Sequence, residues 1–269
     1  MSAASVLGRI VAATRARVHE QYRVRPLDAL LSSAPTPGLR RSFAPLLGRA
    51  GRVNVIAEFK RRSPSRGTLR EDLTPASAAT AYEAAGAAAL SVLTEPEFFG
   101  GSLDDLRQAR AATNLPALRK DFVIDPYQVW EAWIAGADAI LLIVAALSEP
   151  ELRTLLDTAR EAHLDALVEV HDEPELARAL EAGATLVGVN NRDLKTLSVS
   201  LETSIALAPR IPDDVVAVAE SGIRTGEDIR RLRGAGFDAF LVGEHFMTAP
   251  DPGAALRELV KDAAAEPAR

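Results

Sequence analysis

Eight short apolar runs recur along the chain. They are rich in Val, Ile, Leu and Ala and cover residues 53–60, 88–93, 115–118, 138–144, 166–170, 186–189, 215–219 and 239–242. Several are apolar throughout instead of alternating with polar residues, which is typical of parallel strands whose outer face is covered by helices. The pattern therefore predicts eight buried strands.

Helix signals lie between these runs. One predicted helix starts at Thr74 and ends at Gly86, with the usual asymmetry of helix caps. Ser148 and Glu151 open a second helix in the arrangement of a capping box, and Asp172 opens a third in the same manner. Strands and helices are thus expected to alternate.

This alternation predicts an α/β fold, a (β/α)₈ TIM barrel that covers residues 51–262. An open, doubly wound sheet is the alternative. No Gly-x-Gly-x-x-Gly turn follows the first strand, which argues against a dinucleotide-binding sheet. In a barrel of this type the active site lies at the carboxyl ends of the strands, so functional residues are expected there.

The chain outside the barrel gives weaker signals. Five apolar residues in the first 50 recur at helical spacing: Val6, Leu7, Ile10, Val11 and Val18. Several arginines in the same segment resemble an organelle transit peptide, but the apolar stripe favours a helical extension that packs on the barrel. Pro35, Pro37 and Gly38 predict a break before a short second helix, and residues 263–269 are expected to form a frayed tail.

Composition limits the classes of partner. With 31 basic and 37 acidic residues the net charge is −6, which offers no basic surface for nucleic acid. No apolar stretch approaches the roughly 20 residues of a membrane span. The chain has no cysteine, which fits the cytoplasm and excludes thiol chemistry. The histidines show no ligand spacing, so no metal or other cofactor is expected: His19, His163, His171 and His245.

The first strand ends in two opposite charges. Glu58 and Lys60 are two positions apart, so their side chains lie on one face, whereas Phe59 points to the other. The loop that follows, 61–67, is cationic and carries hydroxyl groups, which suits an anionic ligand. Charges at a single strand end are usually solvated, so this segment alone is weak evidence for a site.

Other predicted strands also end in polar residues. They are Arg119, Lys120 and Asp121 on the third, Glu169 on the fifth, Asn190, Asn191 and Arg192 on the sixth, Glu220, Ser221 and Gly222 on the seventh, and Gly243 and Glu244 on the eighth. Burying charge without partners costs several kcal/mol, so stability does not explain this ring of groups. Gly222 and Gly243 follow the strands whose loops often bind phosphate in such barrels, although either could form an ordinary turn.

Five segments, in this order, resemble the signature segments of the indole-3-glycerol phosphate synthase family: 56–65, 118–122, 168–171, 188–194 and 219–223. The resemblance covers nearly the whole chain. It implies a carboxy-lyase of tryptophan biosynthesis. The substrate of the family is 1-(2-carboxyphenylamino)-1-deoxyribulose 5-phosphate, which closes to indole-3-glycerol phosphate with loss of carbon dioxide and water.

The resemblance also implies roles for the charged residues. Lys120 matches the catalytic lysine and, protonated at neutral pH, can donate a proton to the ketone oxygen. Glu169 matches the second acid/base residue, and burial is expected to raise its pKa. Glu58 and Lys60 are expected to orient the substrate. The remaining polar network is formed by Asn190, Glu220 and Ser221.

Binding residues follow from the same resemblance. The phosphate group is assigned to Ser63, Arg192, Gly222, Gly243 and Glu244, of which Glu244 contributes only its backbone N–H. The anthranilate ring is assigned to Pro64, Phe99, Phe122 and Leu142, for each of which core packing is an equal alternative.

Two other functions stay open. One is a Schiff-base lyase on the same fold with Lys120 as the nucleophile, and the other is a barrel that binds a phosphosugar without catalysis. The expected partner is a small phosphosugar, and the chain is expected to be a monomer or a weak homodimer. Sequence does not decide how Lys60, Lys120 and Glu169 divide the proton transfers.

Overall fold

The computed structural model describes residues 5–32, 40–194 and 196–265. Ten strands lie in this part of the chain: β1 (Asn54–Phe59), β2 (Arg62–Ser63), β3 (Gly67–Thr68), β4 (Ala89–Leu93), β5 (Ala117–Lys120), β6 (Ala139–Ile143), β7 (Asp165–Val170), β8 (Leu186–Asn190), β9 (Val216–Glu220) and β10 (Ala239–Val242).

Eight of these strands close into a parallel barrel, in the order β1-β10-β9-β8-β7-β6-β5-β4. Asn54 pairs with Ala239 of β10 and Ile56 pairs with Ala89 of β4, so β1 lies between these two strands and closes the barrel. The predicted (β/α)₈ barrel is confirmed. β2 and β3 form a separate antiparallel hairpin directly after β1. The sequence pattern did not predict this hairpin, because strands of two residues have no periodicity.

Helices surround the barrel. They are α1 (Val6–Val24), α2 (Leu27–Ser32), α3 (Ala44–Leu47), α4 (Pro75–Ala84), α5 (Pro96–Phe99), α6 (Leu103–Ala111), α7 (Pro126–Ala135), α8 (Glu149–Glu161), α9 (Glu173–Glu181), α10 (Glu202–Leu207), α11 (Gly226–Ala235), α12 (Glu244–Met247) and α13 (Pro252–Ala264). Short 3₁₀ turns cover Val144–Ala146 and Ala208–Arg210. None of the helices in the described ranges is long and apolar enough to cross a membrane.

The predicted helix starts are confirmed. Thr74 accepts a hydrogen bond from the backbone of Ser77, and Ser148 forms the expected capping box with Glu151 at the start of α8. Asp172 caps α9 through the backbone N–H of Glu175, at 2.9 Å. Each cap satisfies backbone donors that the first turn of a helix leaves unpaired, which fixes where these helices begin.

Alternate residues of each strand pack in two layers. One layer, with Ile56, Leu118 and Leu167, fills the barrel interior. The other, with Val55 and Phe59, packs between the strands and the outer helices. Both layers are apolar, which explains why the strands show little polar alternation.

The third strand is shifted relative to its prediction. The apolar run at 115–118 predicted it, but β5 runs from Ala117 to Lys120. Pro116 lies outside the strand, and the polar residues Arg119 and Lys120 belong to it. Arg119 is buried because Asp121 and Glu131 form ion pairs with it at 3.0 and 2.9 Å.

The extension before the barrel docks through α1. Ile10 and Val18 are buried, and Arg17 forms ion pairs with the buried Glu95 and Asp121 at 3.4 and 3.6 Å. The expected break at Pro35, Pro37 and Gly38 lies outside the described residues.

Two short helices flank that break. The short helix expected after it is α3, whereas α2, before it, was not predicted. At the other end of the chain, α13 continues to Ala264 and Ala263 is buried, although the expected tail begins at 263. Residues 266–269 of that tail lie outside the described residues.

Candidate active site

A cleft opens at the carboxyl ends of the barrel strands, with about 1330 Å³ of empty space when the open solvent at its mouth is included. On five strands the functional side chain stands two residues after a residue that faces the barrel interior, so it continues the same inward face. These side chains are Glu58 on β1, Lys120 on β5, Glu169 on β7, Asn190 on β8 and Glu220 on β9. The strand register therefore brings these five side chains, from distant parts of the sequence, together at the bottom of the cleft, which we call the floor.

Glu58 and Lys60 form the ion pair that their spacing predicts. Lys60 Nζ lies 2.6 Å from Glu58 Oε1, and Ser91 Oγ donates to Glu58 Oε2 at 3.3 Å. Burial disfavours the charge on Glu58, but the ammonium groups of Lys60 and Lys120 outweigh it and hold the pKa of Glu58 below its usual value. Glu58 is therefore an anion that is fixed in position.

Lys120 lies at the centre of the floor. Its Nζ is 2.9 Å from Glu220 Oε2 and 3.5 Å from Glu169 Oε2. Burial opposes the charge on Lys120, but the carboxylates of Glu220, Glu169 and Glu58 raise its pKa well above the usual range. Lys120 is consequently an ammonium ion, which suits a proton donor and does not suit an amine nucleophile.

The protonation of Glu220 depends on its neighbours on the floor. Burial and repulsion from Glu169 and Glu58 raise its pKa, Lys120 opposes them, and the net pKa is about 7. Its Oε1 is buried and has no hydrogen-bond partner. A Cβ atom on Gly188 would overlap this oxygen, so the glycine leaves the room that the carboxylate occupies.

Asn190 and Ser221 stand where the backbone turns after β8 and β9. Asn190 Oδ1 accepts a hydrogen bond from the N–H of Arg192 at 3.0 Å. Ser221 and Gly222 have φ angles of 67° and 86°, a left-handed conformation that is rare for serine. The side chain of Asn191 holds this turn by donating to the Ser221 carbonyl at 3.2 Å. Asn191 is thus an anchor of the turn.

The residues predicted to bind phosphate line one side of the cleft: Ser63, Arg192, Gly222, Gly243 and Glu244. The Glu244 side chain is engaged, which sequence reasoning did not predict. Its carboxylate lies 2.9 Å from Arg66, 3.6 Å from Arg192 and 3.9 Å from Arg224. Arg66 lies in the cationic loop 61–67 that was expected to suit an anionic ligand, whereas Arg224 was not predicted. Nothing in the local sequence shows that the two arginines meet near α12.

Gly243 has a second role. A Cβ atom at this position would overlap Glu58 Oε1, so the glycine makes room for the Glu58 carboxylate as well as exposing backbone at the cleft. The interpretation of Gly243 as a phosphate contact alone was therefore incomplete.

The apolar side of the cleft contains three of the four predicted residues. Pro64, Phe99 and Phe122 line it, and the two phenyl rings lie 6.0 Å apart. The prediction for Leu142 is wrong. Leu142 is fully buried between the barrel and the outer helices, and its neighbours Leu141 and Ile143 line the cleft.

The reversal follows from strand geometry, since adjacent residues of a strand face opposite sides. The cleft also receives apolar residues that sequence reasoning did not place there. Val6, Leu7 and Ile10 come from α1, and Leu194, Leu197 and Val199 come from the loop after β8. The apolar stripe of α1 is visible in the sequence, but the surface that it covers is not.

The described residues contain no group of three His, Cys, Asp or Glu side chains that could hold a metal ion. The charged floor is instead a set of carboxylates and ammonium ions that pair with one another. Such a set can donate and accept protons in a site that the barrel shields from water.

A family model described as indole-3-glycerol phosphate synthase matches residues 7–259. The chain belongs to the indole-3-glycerol phosphate synthase family. An indole-3-glycerol phosphate synthase from Albidiferax ferrireducens is 50% identical over 257 residues, which cover 94% of this chain and 97% of the relative. One from Parafrankia sp. is 52% identical over 257 residues, which cover 95% of each chain.

Solved structures at lower identity support the fold of this synthase family member. Thiamine phosphate pyrophosphorylase from Pyrococcus furiosus superposes with a TM-score of 0.60 at 18% identity, over 78% of this chain and 94% of that chain. The likeness extends to the barrel and not to the chemistry, since folds of this kind carry many unrelated functions.

Proposed function

We propose that the charged floor of this barrel performs the indole-forming reaction of its family. The chain is an indole-3-glycerol phosphate synthase, a carboxy-lyase of tryptophan biosynthesis that acts on a small phosphosugar. The reaction closes 1-(2-carboxyphenylamino)-1-deoxyribulose 5-phosphate to indole-3-glycerol phosphate, with loss of carbon dioxide and water. The observation that carries the mechanism is the buried Lys120 ammonium, held between Glu220 and Glu169.

Lys120 acts first, in the ring closure. As the aromatic carbon attacks the ketone carbon, negative charge develops on the ketone oxygen. The Lys120 ammonium stabilises this charge and donates its proton there. Its raised pKa keeps the proton on nitrogen until the ketone oxygen becomes basic in the transition state.

Glu169 acts in the dehydration that follows decarboxylation. It accepts the proton from the substrate nitrogen and helps hydroxide to leave as water. Its Oε2 is the oxygen that faces Lys120, so both proton carriers meet the same region of the substrate.

The other polar residues position the substrate. Glu58 and Lys60 orient the reacting groups as a fixed ion pair, and Asn190 and Glu220 hold the ribulose hydroxyl groups. Ser221 contributes the strained turn after β9.

The two ends of the substrate use opposite sides of the cleft. The phosphate binds near Ser63, Arg192 and the backbone of residues 222 and 243–244, where arginine and backbone N–H groups favour an oxyanion. The anthranilate ring binds against Pro64, Phe99 and Phe122. Leu141 and Ile143 complete that apolar wall in place of Leu142.

The test is to mix the purified protein with the carboxyphenylamino-deoxyribulose phosphate and follow the indole absorbance. Lys120→Ala and Glu169→Gln are each expected to lose at least about a hundredfold in turnover, as when a general acid or base is removed. Lys261→Ala, at an exposed position on α13, is the control and should turn over normally. Absence of product from the unmodified protein would refute the proposal.

The Schiff-base alternative is less favoured, because a protonated amine cannot attack a carbonyl group. Borohydride added with the substrate would trap Lys120 covalently if it formed a Schiff base, and we expect no trapping. A non-catalytic barrel would bind the substrate without forming indole.

We further propose that the enzyme works in the cytoplasm as a monomer or a weak homodimer. The lack of cysteine suits a reducing compartment. Light scattering across a concentration range would measure the mass, and a stable higher oligomer at micromolar concentration would contradict the proposal.

A further inference from the structure

His171 follows β7 and lies directly behind the floor of the cleft. Its side chain is only 12% exposed, and it does not line the cleft itself. The proposed mechanism uses Glu169, two residues earlier, but assigns nothing to His171. His171 ends the segment 168–171 that resembles the family, but the sequence pattern predicts no role for it, because it has no metal-ligand partners.

Each ring nitrogen of His171 faces a carboxylate. Nδ1 lies 3.0 Å from Glu175 Oε2, and Nε2 lies 3.4 Å from Glu169 Oε1. Glu175 Oε2 also accepts from the backbone N–H of His171 at 2.8 Å. Glu175 is thus held as an acceptor at the start of α9, and the Nδ1 of His171 carries the hydrogen that points to it.

The position of the second hydrogen follows from this arrangement. With a hydrogen on Nδ1, a neutral ring would turn the Nε2 lone pair toward the lone pairs of an ionised Glu169. Nε2 is buried and has no hydrogen-bond partner as placed, although Glu169 Oε1 lies 3.4 Å away. An unpaired buried polar atom costs about 1–3 kcal/mol. A hydrogen on Nε2, shared with Glu169 Oε1, removes both penalties.

The two carboxylates beside the ring favour a cationic ring. Glu175 Oε2 lies 3.0 Å from Nδ1 and Glu169 Oε1 lies 3.4 Å from Nε2, so a positive ring is attracted to both.

The surroundings of the ring act in the same direction. Burial alone lowers the pKa of His171, but the hydrogen bond to Glu175 and the charges of Glu169 and Glu220 together raise it above 6.5. The groups that face the ring come from β7, α9 and β9, and all of them are acidic. Lys120, beyond Glu169, is the nearest cation of the floor.

We propose that His171 is a positioning residue for Glu169. As an imidazolium ion braced by Glu175, it attracts Oε1 of Glu169 and leaves Oε2 facing Lys120 for proton transfer. The proposal rests on the proposed function of Glu169 as a proton carrier, and it makes His171 and Glu175 part of the support of the active site.

The first test does not depend on activity. NMR of isotope-labelled histidine would follow the titration of the four rings, and His171→Asn would assign the His171 signal. We expect a midpoint above 6.5 in the unmodified protein, and a fall of about one pH unit in Glu169→Gln and in Glu175→Gln. Glu149→Gln, an exposed change on α8, is the control and should leave the midpoint in place.

The second test is the pH profile of turnover. His171→Asn is expected to raise the acidic limb of kcat by about one pH unit and to lower kcat at neutral pH about tenfold, with KM nearly unchanged. His163→Asn is the matched control, because His163 is exposed and asparagine tolerates its left-handed φ of 54°. A purely structural role would reduce the folded fraction without moving the limb.

The outcomes separate the two proposals. An unmodified protein that makes no indole refutes the proposed function. The effect of Glu169→Gln on the His171 midpoint is measured without turnover and tests the present inference independently. An active enzyme whose His171 midpoint ignores Glu169→Gln overturns the present inference alone. If His171→Asn does not fold, Glu175→Gln carries the test, since glutamine retains an acceptor for both N–H groups of His171.

Discussion

Two glycines make room for the carboxylates of Glu58 and Glu220 at the floor of the cleft. Gly188 lies beside Glu220 Oε1 and Gly243 beside Glu58 Oε1, and a Cβ atom at either position would overlap the oxygen. Gly188 lies within β8 and Gly243 directly follows β10, so the barrel strands hold both backbones in place. The absence of a side chain at these positions therefore leaves the space that the two carboxylates occupy.

We predict that Gly188→Ala displaces the Glu220 carboxylate from Lys120 and lowers kcat at least about tenfold, since catalytic geometry tolerates little misplacement. Gly234→Ala is the control. Gly234 lies in α11 with open space around its Cβ position, and alanine there should stabilise the helix by about 1 kcal/mol. Steady-state kinetics and urea unfolding of both variants test this, and full activity in Gly188→Ala would contradict the steric argument.

Leu141 and Leu142 separate function from stability at neighbouring positions. Leu142→Ala should lower the free energy of unfolding by about 2–5 kcal/mol and leave KM unchanged, because its side chain packs only in the outer core. Leu141→Ala opens the wall of the cleft and should raise KM. Urea denaturation and substrate titration of the two variants measure these effects. A raised KM in Leu142→Ala alone would mean that the strand faces are reversed.

Residues at strand ends were predictable because the carboxyl ends of barrel strands converge, whatever their separation in sequence. Lys120 and Glu220 meet for this reason across 100 positions. Leu142 was misplaced because the facing of a side chain depends on strand register. His171 could not be identified, since its significance comes from Glu175 on the next helix and from burial, neither of which a short motif records.

The β2–β3 hairpin and α12 are joined across the side of the cleft that is proposed to bind phosphate. Arg66, between the two hairpin strands, pairs with Glu244 at the start of α12 at 2.9 Å. Arg192, from the loop after β8, approaches the same carboxylate. The Glu244 carboxylate thus occupies guanidinium groups that the proposed phosphate site would otherwise offer to the substrate.

We predict that Glu244→Gln lowers KM a few-fold and weakens the link between the hairpin and α12. The variant keeps the backbone N–H of residue 244 and removes a negative charge that repels the phosphate dianion. KM measured at several salt concentrations tests this, with Glu149→Gln as the control for a change in net charge. An increase in KM would mean that Glu244 chiefly orients the arginines.

The alternation of strands and helices could be predicted from the sequence because the buried strands are apolar and the predicted helix starts carry caps. The hairpin and the contacts of its arginines could not be predicted in this way. The two-residue strands β2 and β3 are defined by one short ladder, Arg62 with Thr68 and Ser63 with Gly67, and have no hydrophobic pattern. Elements of this size form where the rest of the fold places them.

The buried carboxyl groups make the free energy of unfolding depend on pH, and they do so in opposite directions. Burial opposes ionisation of Asp121, but Arg119 and Arg17 outweigh it and lower its pKa in the folded state, and Glu58 behaves likewise. A lowered folded pKa contributes stability at pH values above the unfolded pKa, and this contribution is lost as the pH falls through the folded value. These two groups therefore make the barrel sensitive to acid.

Glu220 acts in the opposite direction. Its folded pKa is raised from 4.5 to about 7, so the folded protein binds this proton more tightly than the unfolded chain does. Its contribution to stability is full below pH 4.5 and is lost as the pH rises to about 7. We predict that Glu220→Gln, which cannot ionise, gains stability relative to the unmodified protein as the pH increases across this window.

Asp121→Asn should show the reverse trend, with its deficit in stability shrinking as the pH falls below 4. Urea unfolding midpoints from about pH 2 to pH 8 measure both trends against the unmodified protein. A pH-independent difference for Glu220→Gln would show that Glu220 is ionised throughout this window. Lys120 would then be paired with two full carboxylates, and the proton that balances the floor would have to lie on another group.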